Sequence, residues 1–443
     1  MKLWLTLLLS LLAVAANAAT ITAAGLTAAQ VQAAIDSSSD GDLVLIPSGS
    51  GTWTAEVGVT NSITLAGSGN YGTTISANFG TSGNVPLWAS CGTTKFVTFS
   101  NIVISSVQGR QYGVVNVGCA ETNRVCFRFT KLKVTSAGGS GARTICTFDA
   151  WGLIDNCQIV NAADGGQGIS IDTGGDLFSI RNYYSGAGVL GDTNTVVIED
   201  TGFHFTTESD GATDAYPGAK FVVRHCAITN TSVGLHGKDS SVRSTRLWEF
   251  YENDFYYDGS SPPAFLMHIR GGTGVIWSNR THSAVYDVLA HLSQLRAEVA
   301  YGDAPGQSYD GNFHLTYPSS NYATGYPLLD QIGWGSFTNA PGGSYPWNQN
   351  DPNCTNGCTT NTFQQKQPIY QWGNNLNGTL NPLLAVGNPA DGTNYIKPNR
   401  EYFDNTVHPT YTALTYPHPL RGEGGGSPAA GATATVGTLR IGP

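Results

Sequence analysis

Between Val196 and Thr281 one pattern occurs four times: VVIEDTGF (196–203), VVRHCAI (222–228), FYENDF (250–255) and VIWSNRT (275–281). Each is a short apolar strand closed by a polar or small residue, here Thr201, Cys226, Asn253 and Asn279. Upstream the same marker falls on Asn101 in VTFSNIV, Thr130 in FRFTKL, Cys157 in LIDNCQI and Asn182 in FSIRNYY. Successive markers are 29, 27, 25, 19, 25, 27 and 26 residues apart. That spacing holds three strands per turn and no crossover helix, so the expected fold is all-β: a single-stranded, right-handed parallel β-helix. Asn, Thr and Cys markers would then stack at one corner, where side-chain amides bond neighbouring turns. A β-sandwich is the competing architecture, but it does not explain a coil-to-coil repeat near 25.

The flanks extend this reading. Residues 1–18 have the form of a secretory signal: Lys2, an apolar run to Val14, then small residues at 16 and 18. The run is shorter than a membrane span, so the mature chain is expected to be exported and free of the membrane. In LTAAQVQAAID, Thr27 and Gln30 form a capping box and Leu26 and Val31 a hydrophobic staple. A short helix within 19–41 is therefore expected to plug the open end of a solenoid spanning 42–300. Residues 301–421, rich in Asn, Pro, Gly, Tyr and Trp, read as an irregular region packed on the coil, and 422–443 as a linker-like tail. Of the eight cysteines, Cys354 and Cys358 are the closest in sequence and the expected local disulfide.

Composition bounds the function. Charged residues are 12% of the chain, about half the usual ~25%, and the net charge is −9, which leaves no basic footprint for nucleic acid. Against that background the stretch from Glu199 to Glu252 is rich in charge. Strand alternation turns the residue two before each marker outward: Arg128, Asp155, Ile180, Glu199, Arg224, Tyr251 and Trp277, joined by Glu249. Aromatic faces stack on pyranose rings and arginines fork onto carboxylates, so Arg224, Tyr251, Trp277 and Glu249 are candidate contacts for an acidic polysaccharide. An ion-paired sheet face is the plainer alternative. Glu199, Asp210 and Asp214 are candidate ligands for calcium, the oxygen-seeking cation favoured outside the cell.

The order of VVIEDTGF, SDGATDA, AKFVVRHCAI, LHG and RSTRLWEFYEND resembles the block order of family 1 pectate lyases, secreted calcium-dependent β-helix enzymes. The resemblance covers about 60 residues with motif content. It implies that Glu199 falls on an acid of the family's first block, that Asp210 and Asp214 keep the separation of its calcium ligands, and that Arg243 or Arg246 stands near its catalytic arginine. Lys238 is a displaced substitute for the family's motif lysine, and His236 a second candidate base. The expected function is calcium-assisted β-elimination of a uronate glycan by a monomer. An inverting glycoside hydrolase, using Asp210 with Asp214 or Glu199 with Glu249, and a non-catalytic glycan-binding protein are the alternatives.

Overall fold

The computed structural model describes residues 18–78, 84–109, 112–119, 124–137, 141–161, 166–172, 189–206, 211–216, 218–237, 244–259, 263, 265–293, 332–334, 336–337, 364–387 and 396–422. They form a parallel β-helix with three long sheets. After Leu43–Ile46 in the first sheet, the chain passes to Gly49–Trp53 in the second and Val57–Val59 in the third, then returns to the first at Thr64–Gly67. Repetition of this path gives twelve, eleven and ten strands respectively. Inward positions of all three sheets, among them Ile154, Ile198, Val223, Phe250 and Ile276, fill one apolar core. The helix Ala28–Asp36 closes the leading end, with both halves of the Thr27/Gln30 capping box made and Val31, Ala34 and Ile35 buried.

A single left-handed residue makes the bend from the first sheet to the second on each coil: Asn156, Asp200, His225, Glu252 and Ser278, with φ between 49° and 55°. The next residue points inward and is the marker, so Cys157, Thr201, Cys226, Asn253 and Asn279 stack as expected. The asparagines form a ladder. Asn253 Nδ2 donates to Asn279 Oδ1 (2.9 Å), and Asn279 Nδ2 donates to Asn374 Oδ1 (3.0 Å) and to the Phe250 carbonyl (2.9 Å). These bonds satisfy buried amides that the strands leave unpaired. Asn279→Ala, which removes several of them at once, is expected to cost roughly 2–3 kcal/mol, read as a lower urea midpoint at unchanged slope.

The structure departs from the sequence expectation in four places. The left-handed residues Asn101 and Lys131 show that the true markers of the early coils are Ile102 and Leu132, not Asn101 and Thr130. Asn182 lies outside the described residues, and in the first sheet Ala150–Asp155 pairs directly with Val196–Glu199. The solenoid also runs past 300: Ile369–Trp372 pairs with Thr273–Trp277, and Tyr402–Phe403 adds a further strand. At the front, Thr20–Thr22 already pairs with Leu43–Leu45, ahead of the capping helix. Among the described residues the disulfide joins Cys119 and Cys126, while the expected Cys354–Cys358 pair, residues 1–17 of the expected signal 1–18 and residues 423–443 of the expected tail 422–443 lie outside them. No helix among the described residues is long and apolar enough to cross a membrane.

Candidate active site

The outward column of the first sheet is in register as Thr130, Asp155, Glu199, Arg224, Tyr251, Trp277 and Trp372. Thr130 takes the place expected for Arg128, as the corrected marker requires. The column does not face solvent. Residues 404–422 run back over this sheet as a strap, and Glu199, Arg224, Tyr251 and Glu249 are buried beneath it. Arg224 donates to Glu199 Oε2 through Nε (2.9 Å) and Nη2 (2.6 Å) and spends its remaining donors on the Tyr251 hydroxyl (3.0 Å) and the Leu414 and Thr415 carbonyls (2.7 and 2.8 Å). Glu199 Oε1 accepts the His418 amide (3.0 Å), and Arg421 pairs with Asp200 (2.5 Å). Tyr411 donates to Glu249 Oε2 (2.5 Å), whose other oxygen accepts the Gly191 amide (2.6 Å). Trp277 is sandwiched between Tyr251 (4.5 Å) and Trp372 (5.9 Å). The surface expected to grip a glycan through Arg224, Tyr251 and Glu249 is therefore an internal seam. Alternation along a strand gives the direction of a side chain, not what lies over it.

Asp214 sits in the third sheet, on Gly211–Ala215, while Glu199 sits in the first. The two acids thus face different sides of the solenoid and do not fit a shared calcium ion. Nor are Asp214's neighbours cation ligands. Gln167 Nε2 donates to its Oδ2 (2.7 Å), with His236 Nδ1 at 3.7 Å and Arg270 Nη2 at 3.7 Å from the carboxylate. Burial pushes the Asp214 pKa up, but contacts with His236 and the charge of Arg270 outweigh it and hold the group below its ordinary value. Beside it Tyr216 stacks on His236 (4.7 Å between ring centres), and Arg143 Nη2 donates to its Oη (2.9 Å). Burial, reinforced by Asp214, raises the Tyr216 pKa to about 12, so the phenol keeps its proton at neutral pH. Asp210, Lys238 and Arg243 lie outside the described residues.

Between Gly211–Ala215 and Lys220–Arg224 the chain turns a corner from the third sheet to the first, and the following coil grips its described residues by backbone bonds. The His236 amide donates to Ala215 (2.8 Å), Gly218 to Ser244 (3.0 Å) and Arg246 to Ala219 (3.1 Å). Tyr216 with His236 thereby occupies one end of the corner, and Lys220 with the buried Arg246 the other. The Lys220 side chain is 4% exposed, with its ammonium 4.5 Å from the centre of the Trp151 ring and 3.9 Å from Asp192. Burial first, and then the charge of Arg246, lowers its pKa to about 8. Lys220 lines a narrow cleft with Asp192, Asn194, Leu247 and Glu249. Burial raises the pKa of Glu249 against its two hydrogen bonds.

Sequence reasoning had placed Arg246 and His236 at the centre and missed Lys220 and Tyr216. The available signal was a lysine opening the apolar strand KFVVR, in register with Leu247 of the next coil, in a chain with few charges.

Fold and site together define a parallel β-helix protein with a desolvated lysine–arginine pair at one sheet corner. No family model matches the sequence, and no curated protein matches it. Among solved structures the chain is similar to the alginate lyase from Paenibacillus sp. str. FPU-7, at 15% identity and a TM-score of 0.42, over 62% of this chain and 94% of that one. It is also similar to ORF18 of Geobacillus virus E2, at 14% identity and a TM-score of 0.35, over 59% of this chain and 57% of that one.

Proposed function

We propose that this protein is an exported, monomeric polysaccharide lyase that cleaves a uronate-containing glycan by β-elimination, with Lys220 as the base. The observation that carries the reading is the placement of Lys220 in a cleft beside Arg246, with a pKa of about 8. Elimination begins by removing the proton on the carbon next to the uronate carboxylate, a very weak carbon acid. A neutral amine poised near ambient pH can accept that proton, whereas an arginine, with a pKa above about 12, remains charged. Arg246 has two tasks in this scheme. Its charge adds to burial, the larger cause, in keeping Lys220 partly neutral, and it offsets the negative charge that builds on the substrate carboxylate. Tyr216, still protonated at the far end of the corner, serves as the proton donor to the leaving sugar oxygen.

No step is assigned to calcium, since Glu199 and Asp214 lie in different sheets. Of the two carboxylate pairs a hydrolase could use, Glu199 with Glu249 is taken up, since Glu199 is committed to Arg224 and Glu249 to Tyr411 and Gly191, while Asp210 of the other pair lies outside the described residues. Incubation with pectate, alginate or a glycosaminoglycan is expected to produce the absorbance band of an unsaturated uronate. The rate should be unchanged within about twofold by a calcium chelator. New reducing ends without that band would identify a hydrolase. Glycan binding with neither product would identify a non-catalytic protein.

A further inference from the structure

The three sheets differ in what covers them. The strap buries Glu199, Arg224 and Tyr251 on the first, and the middle of the third is closed, with its outward Cys146, Ser170 and Asp214 buried while Trp88, Asn116, His268 and His291 on the same file are partly exposed. The second is open: its outward residues Lys133, Thr135, Gln158, His204, Ala227, Thr229, Tyr256 and Arg280 are all partly or fully exposed. Most are small or polar, and the relief changes abruptly at one place. On Ala227–Thr229 the outward side chains are Ala227 and Thr229, while on the next coil Asp254 and Tyr256 stand opposite them. A low shelf therefore ends at an aromatic wall.

The wall is braced from behind. His282, on the coil after Tyr256, stacks on its ring at 4.6 Å and 9°. Asp254 Oδ1 holds His282 Nε2 at 2.7 Å and is itself paired with Arg280. Because His282 covers one face of the Tyr256 ring, the other face is turned over the shelf of Thr229 and Ala227. Tyr256 is 36% exposed, among the more exposed large side chains of the described residues. A rigid ring beside a small-residue floor, fringed by hydrogen-bonding groups, has the shape and chemistry that take the C–H face of a sugar ring.

We propose that this step on the second sheet is a second glycan-binding site, separate from the Lys220 cleft, in which a pyranose ring of the polymeric substrate stacks on Tyr256. The glycan class rests on the proposed function, whereas the site rests on its own geometry. Its role is to hold polymer on the solenoid while the cleft works elsewhere on the chain, so that short fragments gain nothing from it.

The test is native electrophoresis through gels containing alginate, polygalacturonate or chondroitin sulfate, alongside turnover of short oligosaccharides of the same glycans. Wild type and Tyr256→Phe are expected to be retarded alike in at least one gel. Tyr256→Ala should lose about tenfold in apparent affinity, with its thermal midpoint and oligosaccharide turnover intact. Equal retardation of Tyr256→Ala and wild type, or no retardation of wild type in any of the three gels, overturns the inference. Tyr256-dependent retardation without any elimination product leaves this site standing and removes the lyase reading instead.

Discussion

Lys220→Met is expected to lower elimination by at least about 10³-fold, because the carbon acid loses its base while the cleft keeps its shape. The same change should stabilise the fold. A lysine with a folded pKa of about 8, against 10.5 as a free side chain, binds its proton less readily when folded, so the charged form carries a penalty at every pH below 8. That penalty amounts to about 1.4 kcal/mol per unit of displacement, and it is relieved as pH rises from 8 towards 10.5. Wild type should therefore gain stability over that interval, while the methionine variant, already free of the penalty at pH 7, shows no such gain from this site. Melting curves at pH 7 and pH 10 check the sign, and absorbance of the unsaturated product checks the rate. Unchanged turnover in Lys220→Met would move the base elsewhere.

The second large effect concerns the strap. Arg224→Ala leaves Glu199 buried and charged with its main partner gone, and removes the donors that fasten the carbonyls of Leu414 and Thr415. Breaking such a pair from one side costs about 3–5 kcal/mol. The variant should melt at lower temperature and become sensitive to protease within 404–422. Replacing both partners, as in Arg224→Met with Glu199→Leu, should recover much of the loss, because the buried charge is removed along with its counterion. A single variant as stable as wild type would show that the strap is held by other contacts.

How far the sequence could carry the account is visible in these same residues. The coil was legible because strand alternation and a recurrent marker are local, and the Asn253, Asn279 ladder follows directly from them. Register failed at Asn101 and Thr130, where apolar Ile102 and Leu132 occupy the ladder position and no polar side chain announces it. Glu199, Arg224 and Tyr251 were rightly aligned on one outward column, yet their partners Leu414, Thr415 and His418 are some 190 to 220 residues downstream. No local pattern encodes that contact. Asp214 was expected beside Glu199 as a fellow calcium ligand, but the strand Gly202–Phe205 of the second sheet, with a corner on either side of it, intervenes. Lys220 was hidden for the opposite reason: its role comes from what surrounds it, Trp151 and Arg246 on neighbouring coils, and not from any motif of its own.

Whether Lys220 is poised to act as a base can be read without any substrate. The eight lysines of the sequence are few enough for their side-chain resonances to be assigned by single substitution, and Lys220 can be titrated by NMR in the intact protein. A midpoint of about 8, rising only in part in Arg246→Ala because burial is the larger cause, is the predicted result. A Lys220 that titrates near 10.5 in the wild type would contradict it, since an ordinary ammonium in that cleft cannot serve as the base.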